Sequence, residues 1–252
     1  MALSKKWIAF LAATVAIVAI FAALIASAVP FRSDTLKKRI VDTLSTRLNS
    51  DVTLDDLSLR ILPRLHAEGT GLTIRDRRRP GVPPLIVIKS FVVDSSLLGV
   101  WRRHVSQVEL RGLDISIPPN DGTADDQKSR TANLDRDVVI DSLISENARL
   151  IILPGQPGRN PKTWAIHSLQ MHRVGISESM PFTAVLTNAV PPGVICTEGS
   201  FGAWDVDNPG RTPLQGSFTF DDAHLDVFNG IGGTLSSRGS FGGSLNYIET
   251  RG

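Results

Sequence analysis

"DVTLDDLSLRI", residues 51–61, decides the fold. Just before it, in "SDTLKKRIVDTLSTRLNS" (33–50), Leu36, Ile40, Leu44 and Leu48 recur every four residues, the spacing of one helix stripe. Ser33 or Asp34 can cap the start of that helix. From Val52 onward the spacing falls to two. Val52 and Leu54 alternate with polar neighbours, and Leu57, Leu59 and Ile61 do so one register later, which predicts a bulge at Asp55-Asp56. A helix hands over to β-structure here.

The two-residue period then persists through Leu72 and Ile74, Phe91 and Val93, Val108 and Leu110, and Leu113, Ile115 and Ile117. Further strands are expected near Ala148–Leu153, Trp164–Val174, Phe182–Leu186, Val194–Ala203, Leu214–Phe220 and Leu235–Ile248. Such alternation is what an antiparallel sheet with one apolar and one wet face requires. The expected class is therefore mainly β: a short amphipathic helix followed by a curved antiparallel sheet, trough-like or sandwich-like. "PPNDGTADDQKSRTANLDR" (118–136) is almost devoid of apolar residues and marks a flexible boundary. It divides the chain into an anchor at 1–30, a helix plus first β unit at 31–117, and a second β unit at 137–252.

Residues Trp7 to Val29, "WIAFLAATVAIVAIFAALIASAV", carry no charge. As a helix they would cross a hydrocarbon core of about 30 Å. Ala26-Ser27-Ala28 resembles a signal-peptidase site, but the apolar run is longer than the roughly 7–15 residues of a signal peptide's core, which favours an uncleaved transmembrane anchor. Lys5 and Lys6 flank one end, while Arg32, Lys37, Lys38 and Arg39 crowd the other. Counting cations alone would leave the long C-terminal part in the cytoplasm, although that rule weakens for large domains. The cationic helix at 33–48 is expected either to lie in the headgroup layer or to cover one end of the sheet.

Composition excludes several functions. Twenty-seven basic and 25 acidic residues leave a formal charge of +2, only 6% of residues are aromatic, and the basic runs lie far apart, which argues against nucleic acid. The single Cys196 can form no intramolecular disulfide. "DVDNPG" has Asp205, Asp207 and Gly210 in calcium-loop positions, but Pro209 and Gly216 replace ligands the loop needs, so it reads as a turn. Gly230-Ile231-Gly232-Gly233 has Leu235 where a dinucleotide fingerprint needs its third glycine. His167 and His172, five apart in a strand, are expected on opposite faces. No Gly-x-Ser-x-Gly elbow is present, and nothing joins Cys196 to His224. No catalytic residue, metal site or cofactor is expected.

"NSDVTLDDLSLRILPRLHAEGTGLTIRDR" and "PPLIVIKSFVVDSSLLGVWRRHVSQVELRGLDISIPP" resemble the start of the AsmA-like proteins. So do the later stretches "ISENARLIILP", "TWAIHSLQM" and "PFTAVLTNAVPPGVICTEGSFGAW", and the run from Thr212 to Gly252. The ordered series Thr187-Asn188, Pro192-Gly193, Gly199, Phe201-Gly202, Trp204 is the most specific part, and Ala203 departs from it where a proline would be expected. The resemblance implies a single-pass inner-membrane anchor with the bulk in the periplasm of a diderm bacterium, overriding the cation count. It also implies a β-trough with an apolar inner surface, similar to TamB-like and bridge-like lipid-transfer proteins. The implied role is phospholipid transport between inner and outer membranes, or outer-membrane biogenesis, with phospholipid acyl chains and an envelope protein as partners. The family pattern would continue past Gly252, so the chain is expected to hold an N-terminal portion of the conduit.

Gly-Ser-Phe occurs at Gly199, Gly216 and Gly239, so that Phe201, Phe218 and Phe241 each share a strand face with a glycine. In a trough such pairs would leave grooves for acyl chains; in a packed sandwich the rings would shield neighbouring backbone. The candidate lipid-facing set is Leu57, Leu59, Ile61, Phe201, Leu214, Phe218, Phe220, Leu235, Phe241 and Leu245. The alternative is an anchored β-sandwich scaffold that binds a protein partner and no lipid.

Overall fold

The computed structural model describes residues 33–48, 50–61, 64–77, 81–117, 138–154, 159–175, 179–203, 211–244 and 247–252. The apolar segment at 7–29, and with it the expected membrane span, lies outside them. Among the described residues no helix is long and apolar enough to cross a membrane.

Helix α1 (Ser33–Leu48) has Asp34 in its first turn, where a carboxylate complements the helix dipole. Its stripe is turned inward: Ile40 and Leu44 are buried in the core, with Leu36 and Leu48 packed at the margin. Of the two expectations for this helix, covering the sheet is the one observed. The chain then enters β1 (Ser50–Thr53) and β2 (Asp56–Arg60), and both pair antiparallel with the long β3 (Leu65–Asp76). The phase change at Asp55-Asp56 is therefore a break between two strands, with the Asp55 amide donating to the Thr70 carbonyl at 3.0 Å.

Strands β4 (Ile86–Ser95) and β5 (His104–Ile117) are joined by a short helix, α2 (Leu97–Trp101). They are followed by β6 (Val139–Ile152), β7 (Lys162–Val174), β8 (Met180–Thr187), β9 (Val194–Phe201), β10 (Pro213–His224), β11 (Thr234–Ser244) and β12 (Tyr247–Arg251). All twelve strands form one sheet, in the order β1-β3-β4-β5-β6-β7-β8-β9-β10-β11-β12, with β2 beside β3. The sheet is open, since its two edge strands are not paired to each other. Two features differ from the sequence reading. The run expected as one strand from Leu235 to Ile248 is a hairpin, with Ser244 opposite Tyr247 and Gly243 at φ +136° beside the turn. The sheet is also not wholly antiparallel, because β5 and β6 lie parallel, Val108 opposite Leu143 and Ile115 opposite Leu150. These two strands flank the polar segment at 118–136, itself outside the described residues, so the sheet runs unbroken from the first β unit into the second.

Curvature is written into the residue spacing. Inward positions run two apart along each strand; β5, β6 and β7 skip three near one end, at Val105–Val108, Ile140–Leu143 and Met171–Val174, and at one further level five strands skip three together. Those five skips separate Gly69 from Leu72, Ile88 from Phe91, Leu110 from Leu113, Ser145 from Ala148 and Ile166 from Leu169. Registers place these skips side by side, Thr70 opposite Ser90, Ser90 opposite Arg111, Arg111 beside Glu146 and Glu146 opposite Ser168. At each skip two consecutive residues point outward, and Gly71, Gly112 and Asn147 take positive φ (66°, 63° and 54°). Bulges of this kind bend and twist a strand. Aligned over five strands, they crease the sheet along one line while keeping apolar side chains on the inner side of both halves.

Candidate functional site

The inner face can be followed row by row through the registers of β7 to β12. Met171, Phe182, Gly199, Gly216, Phe241 and Thr250 form one row; Met180, Phe201, Leu214, Gly243 and Ile248 form the next. A third holds Leu169, Ala184, Thr197, Phe218 and Gly239, and a fourth Leu186, Ile195, Phe220 and Ser237. Every one of these positions is uncharged. Charge sits on the opposite face, where His66 bridges Asp94 and Glu68 at 2.6 and 2.5 Å and Arg149 clasps Asp114 across the parallel pair. The two carboxylates raise the His66 pKa above the usual imidazole range, the Glu68 hydrogen bond being the larger influence. That same bond holds Glu68 below its ordinary range.

Coverage of the inner face falls along the sheet. Leu57, under α1, is 3% exposed; Leu214 in β10 is 8% exposed; Leu235 in β11 is 47% exposed. The cause is geometric, because α1 packs on β1 and β2 and no other helix longer than α2 lies among the described residues. The core cluster accordingly runs from α1 to Leu214, with Phe201 and Phe241 packed at its margin.

The candidate residues separate into two groups. Phe201, Leu214, Phe218, Phe220 and Phe241 form one strip on adjoining strands, and Leu235 belongs to the same face by its spacing from Ser237 and Phe241. Leu57 and Leu59 lie at the far end of the sheet, opposite Gly69 and Ala67, where α1 closes over them. Ile61 follows them, half-buried, and Leu245 lies outside the described residues. Sequence reasoning missed Phe182, whose ring centroid lies 5.0 Å from that of Phe201. The alternation in "PFTAVLT" was its signal.

The Gly-Ser-Phe repeats acquire a structural reason. Gly199 and Gly216 face each other across β9 and β10, and a Cβ on Gly216 would lie 2.9 Å from the Gly199 Cα and 2.6 Å from Phe241 Cζ. The Phe241 ring therefore lies over the Gly216 gap, as the Phe91 ring lies over Gly69. At Gly199 and Gly239 the nearest atoms to such a Cβ are backbone of the next strand.

His167 and His172 are both exposed on the outer face, not on opposite faces, because the two outward residues at His167-Ser168 shift the phase between them. His167 Nε2 is paired with Thr187 Oγ1 at 2.8 Å. Among the described residues no cluster of three or more His, Cys, Asp or Glu could hold a metal ion. Asp205 and Asp207 lie outside them, and Cys196 is an exposed free thiol on the outer face. One buried side-chain polar atom among the described residues has no partner: Ser145 Oγ, on the inner face between Leu110 and Leu169. No protein-family model matches the chain, and no curated protein matches it.

Proposed function

We propose that this is a membrane-anchored, AsmA-type protein of the bacterial envelope whose inner sheet face receives phospholipid acyl chains. The carrying observation is the decline in coverage along one continuous apolar face, from the α1-capped end to Leu235. An apolar face that emerges from its own core has to be covered by something apolar, and a hydrocarbon chain needs no polar partner there. On this reading residues 7–29 hold the chain in the inner membrane, the sheet stands in the periplasm, and the protein serves phospholipid transport or outer-membrane assembly without a catalytic step.

The test is photo-crosslinking in intact cells, with a reactive amino acid at Phe218 or Phe241 on the inner face and at Ser217 or Ser240 on the outer. Phospholipid adducts confined to the phenylalanine positions are expected. The Phe241 ring over Gly216 favours a second reading, an anchored scaffold whose rings cover their own backbone. That scaffold would give protein adducts, or none, at all four positions.

A further inference from the structure

The turn between β4 and β5 displays large apolar side chains to water. In α2, Leu98 is 70% and Trp101 79% exposed, and Leu97 beside them is also exposed, while Val100 alone turns into the core. The display is built. Ser96 Oγ accepts from the Gly99 amide at 2.8 Å, Ser95 Oγ donates to the His104 carbonyl at 2.8 Å, and the Arg102 amide donates to the Leu98 carbonyl at 3.0 Å. A capped and stapled turn that holds a tryptophan and two leucines outward, followed at once by exposed Arg102, has the chemistry of a membrane-interface anchor.

Its position gives the partner. β1 begins opposite Asp76, at one end of β3, while β2 ends opposite His66 at the other, and Leu65 there faces Ser95, one residue before the α2 cap. Helix α1 folds back along β1 and β2, and Lys37 Nζ reaches the Asp55 carbonyl at 2.6 Å. The start of α1 thus points to the end of the sheet at which α2 sits. The uncharged segment 7–29 immediately precedes that start. Tyr247, 65% exposed at the beginning of β12, lies at the same end by register.

We propose that α2 docks this end of the sheet onto the surface of the anchoring bilayer, with Leu97, Leu98 and Trp101 in the boundary between headgroups and acyl chains and Arg102 toward lipid phosphate. Burial of those side chains and attraction of a cation to anionic lipid act together at such a surface. The docking sets the open inner face against the membrane that would supply its lipid. It rests on the reading of residues 7–29 as a membrane anchor, and not on lipid occupying the inner face.

The experiment uses the full chain with Cys196→Ser, carrying a single environment-sensitive dye at Leu98→Cys or, as the opposite-end control, at Ile231→Cys, an exposed position in the turn before β11. Each is reconstituted into vesicles of roughly three parts phosphatidylcholine to one part phosphatidylglycerol, with a brominated acyl chain as quencher. Quenching at 98 at least about threefold stronger than at 231 is expected, with Arg102→Gln removing the part that depends on phosphatidylglycerol. Equal quenching at both sites, or none at 98, overturns the proposal. So does a blue-shifted dye at 98 that brominated lipid leaves unquenched, which would mean that protein covers α2. Adducts at Phe218 are scored separately, so docking without groove lipid, and groove lipid without docking, are distinguishable results.

Discussion

Replacing Gly216 with alanine tests whether the Gly-Ser-Phe glycines are there for close approach. The added methyl would stand 2.6 Å from Phe241 Cζ and 2.9 Å from the Gly199 Cα, and would also overlap the Glu198 carbonyl oxygen. Two of those three neighbours are backbone of β9, which is paired to β8 on one side and β10 on the other, so neither can yield by a rotamer change. Overpacking a fixed site costs about 1–3 kcal/mol, offset by about 0.4–1 kcal/mol from the reduced freedom of the unfolded chain. The net loss is about 1–2 kcal/mol. Gly242, on the neighbouring strand, has no atom within 4 Å of its Cβ position and should return only the entropic gain. In urea unfolding of the full chain, followed by tryptophan fluorescence, Gly216→Ala should lower the midpoint by about 0.5 M or more for a slope near 2 kcal/mol per molar, while Gly242→Ala leaves it unchanged or raised. Adding Phe241→Leu should recover part of the Gly216→Ala loss, since the ring is one of the three obstacles. Equal tolerance at Gly216 and Gly242 would refute the close-approach argument.

Two other outcomes follow from the same geometry. Leu44→Ala, at a fully buried position of α1, should cost about 2–5 kcal/mol, whereas Leu235→Ala should cost about 1 kcal/mol or less; comparable losses in urea titrations would mean that β11 is as deeply covered as the α1 end. His66 should titrate above about 6.5 by NMR. Because its folded value is the higher one, the stability it contributes is full below about pH 6.5 and is lost as pH rises through the folded value, so His66→Gln should destabilise the protein only on the acid side. A histidine that titrates at or below its ordinary value would contradict the paired geometry.

Strand identity was legible because alternation is local. Val52 and Leu54, Leu113 and Ile115, and Phe182, Ala184 and Leu186 each declare a face within a few residues. The crease was equally present in the spacing, as the step from Ile88 to Phe91 or from Leu110 to Leu113, but one such step in isolation reads as two separate strands. Only the registers reveal that five of them coincide. That oversight also misplaced His167 relative to His172. The parallel pairing of β5 with β6 left no local mark, since it joins segments separated by the polar stretch 118–136. The start of β6 was missed because Ser142, Ser145, Glu146 and Asn147 dilute its apolar pattern. Of the candidate surface, the strip around Phe218 could be found from Gly-Ser-Phe alone. Leu57 and Leu59 have the same alternating signature, and nothing in that signature tells that α1 will cover them.

The crease also dictates where the chain can change length. Deleting Lys89 alone would restore strict alternation in β4, with Ile86, Ile88, Phe91 and Val93 still on one face, but would leave β4 one residue short of β3 and β5 at the crease, so that either Ile86 and Ile88 or Phe91 and Val93 slip one place against their partners in the neighbouring strands. Each strand is thus bound to its neighbours' count at that level. Insertions and deletions belong in the turns at the strand ends, where they alter what the two ends of the sheet present and leave its inner face in phase.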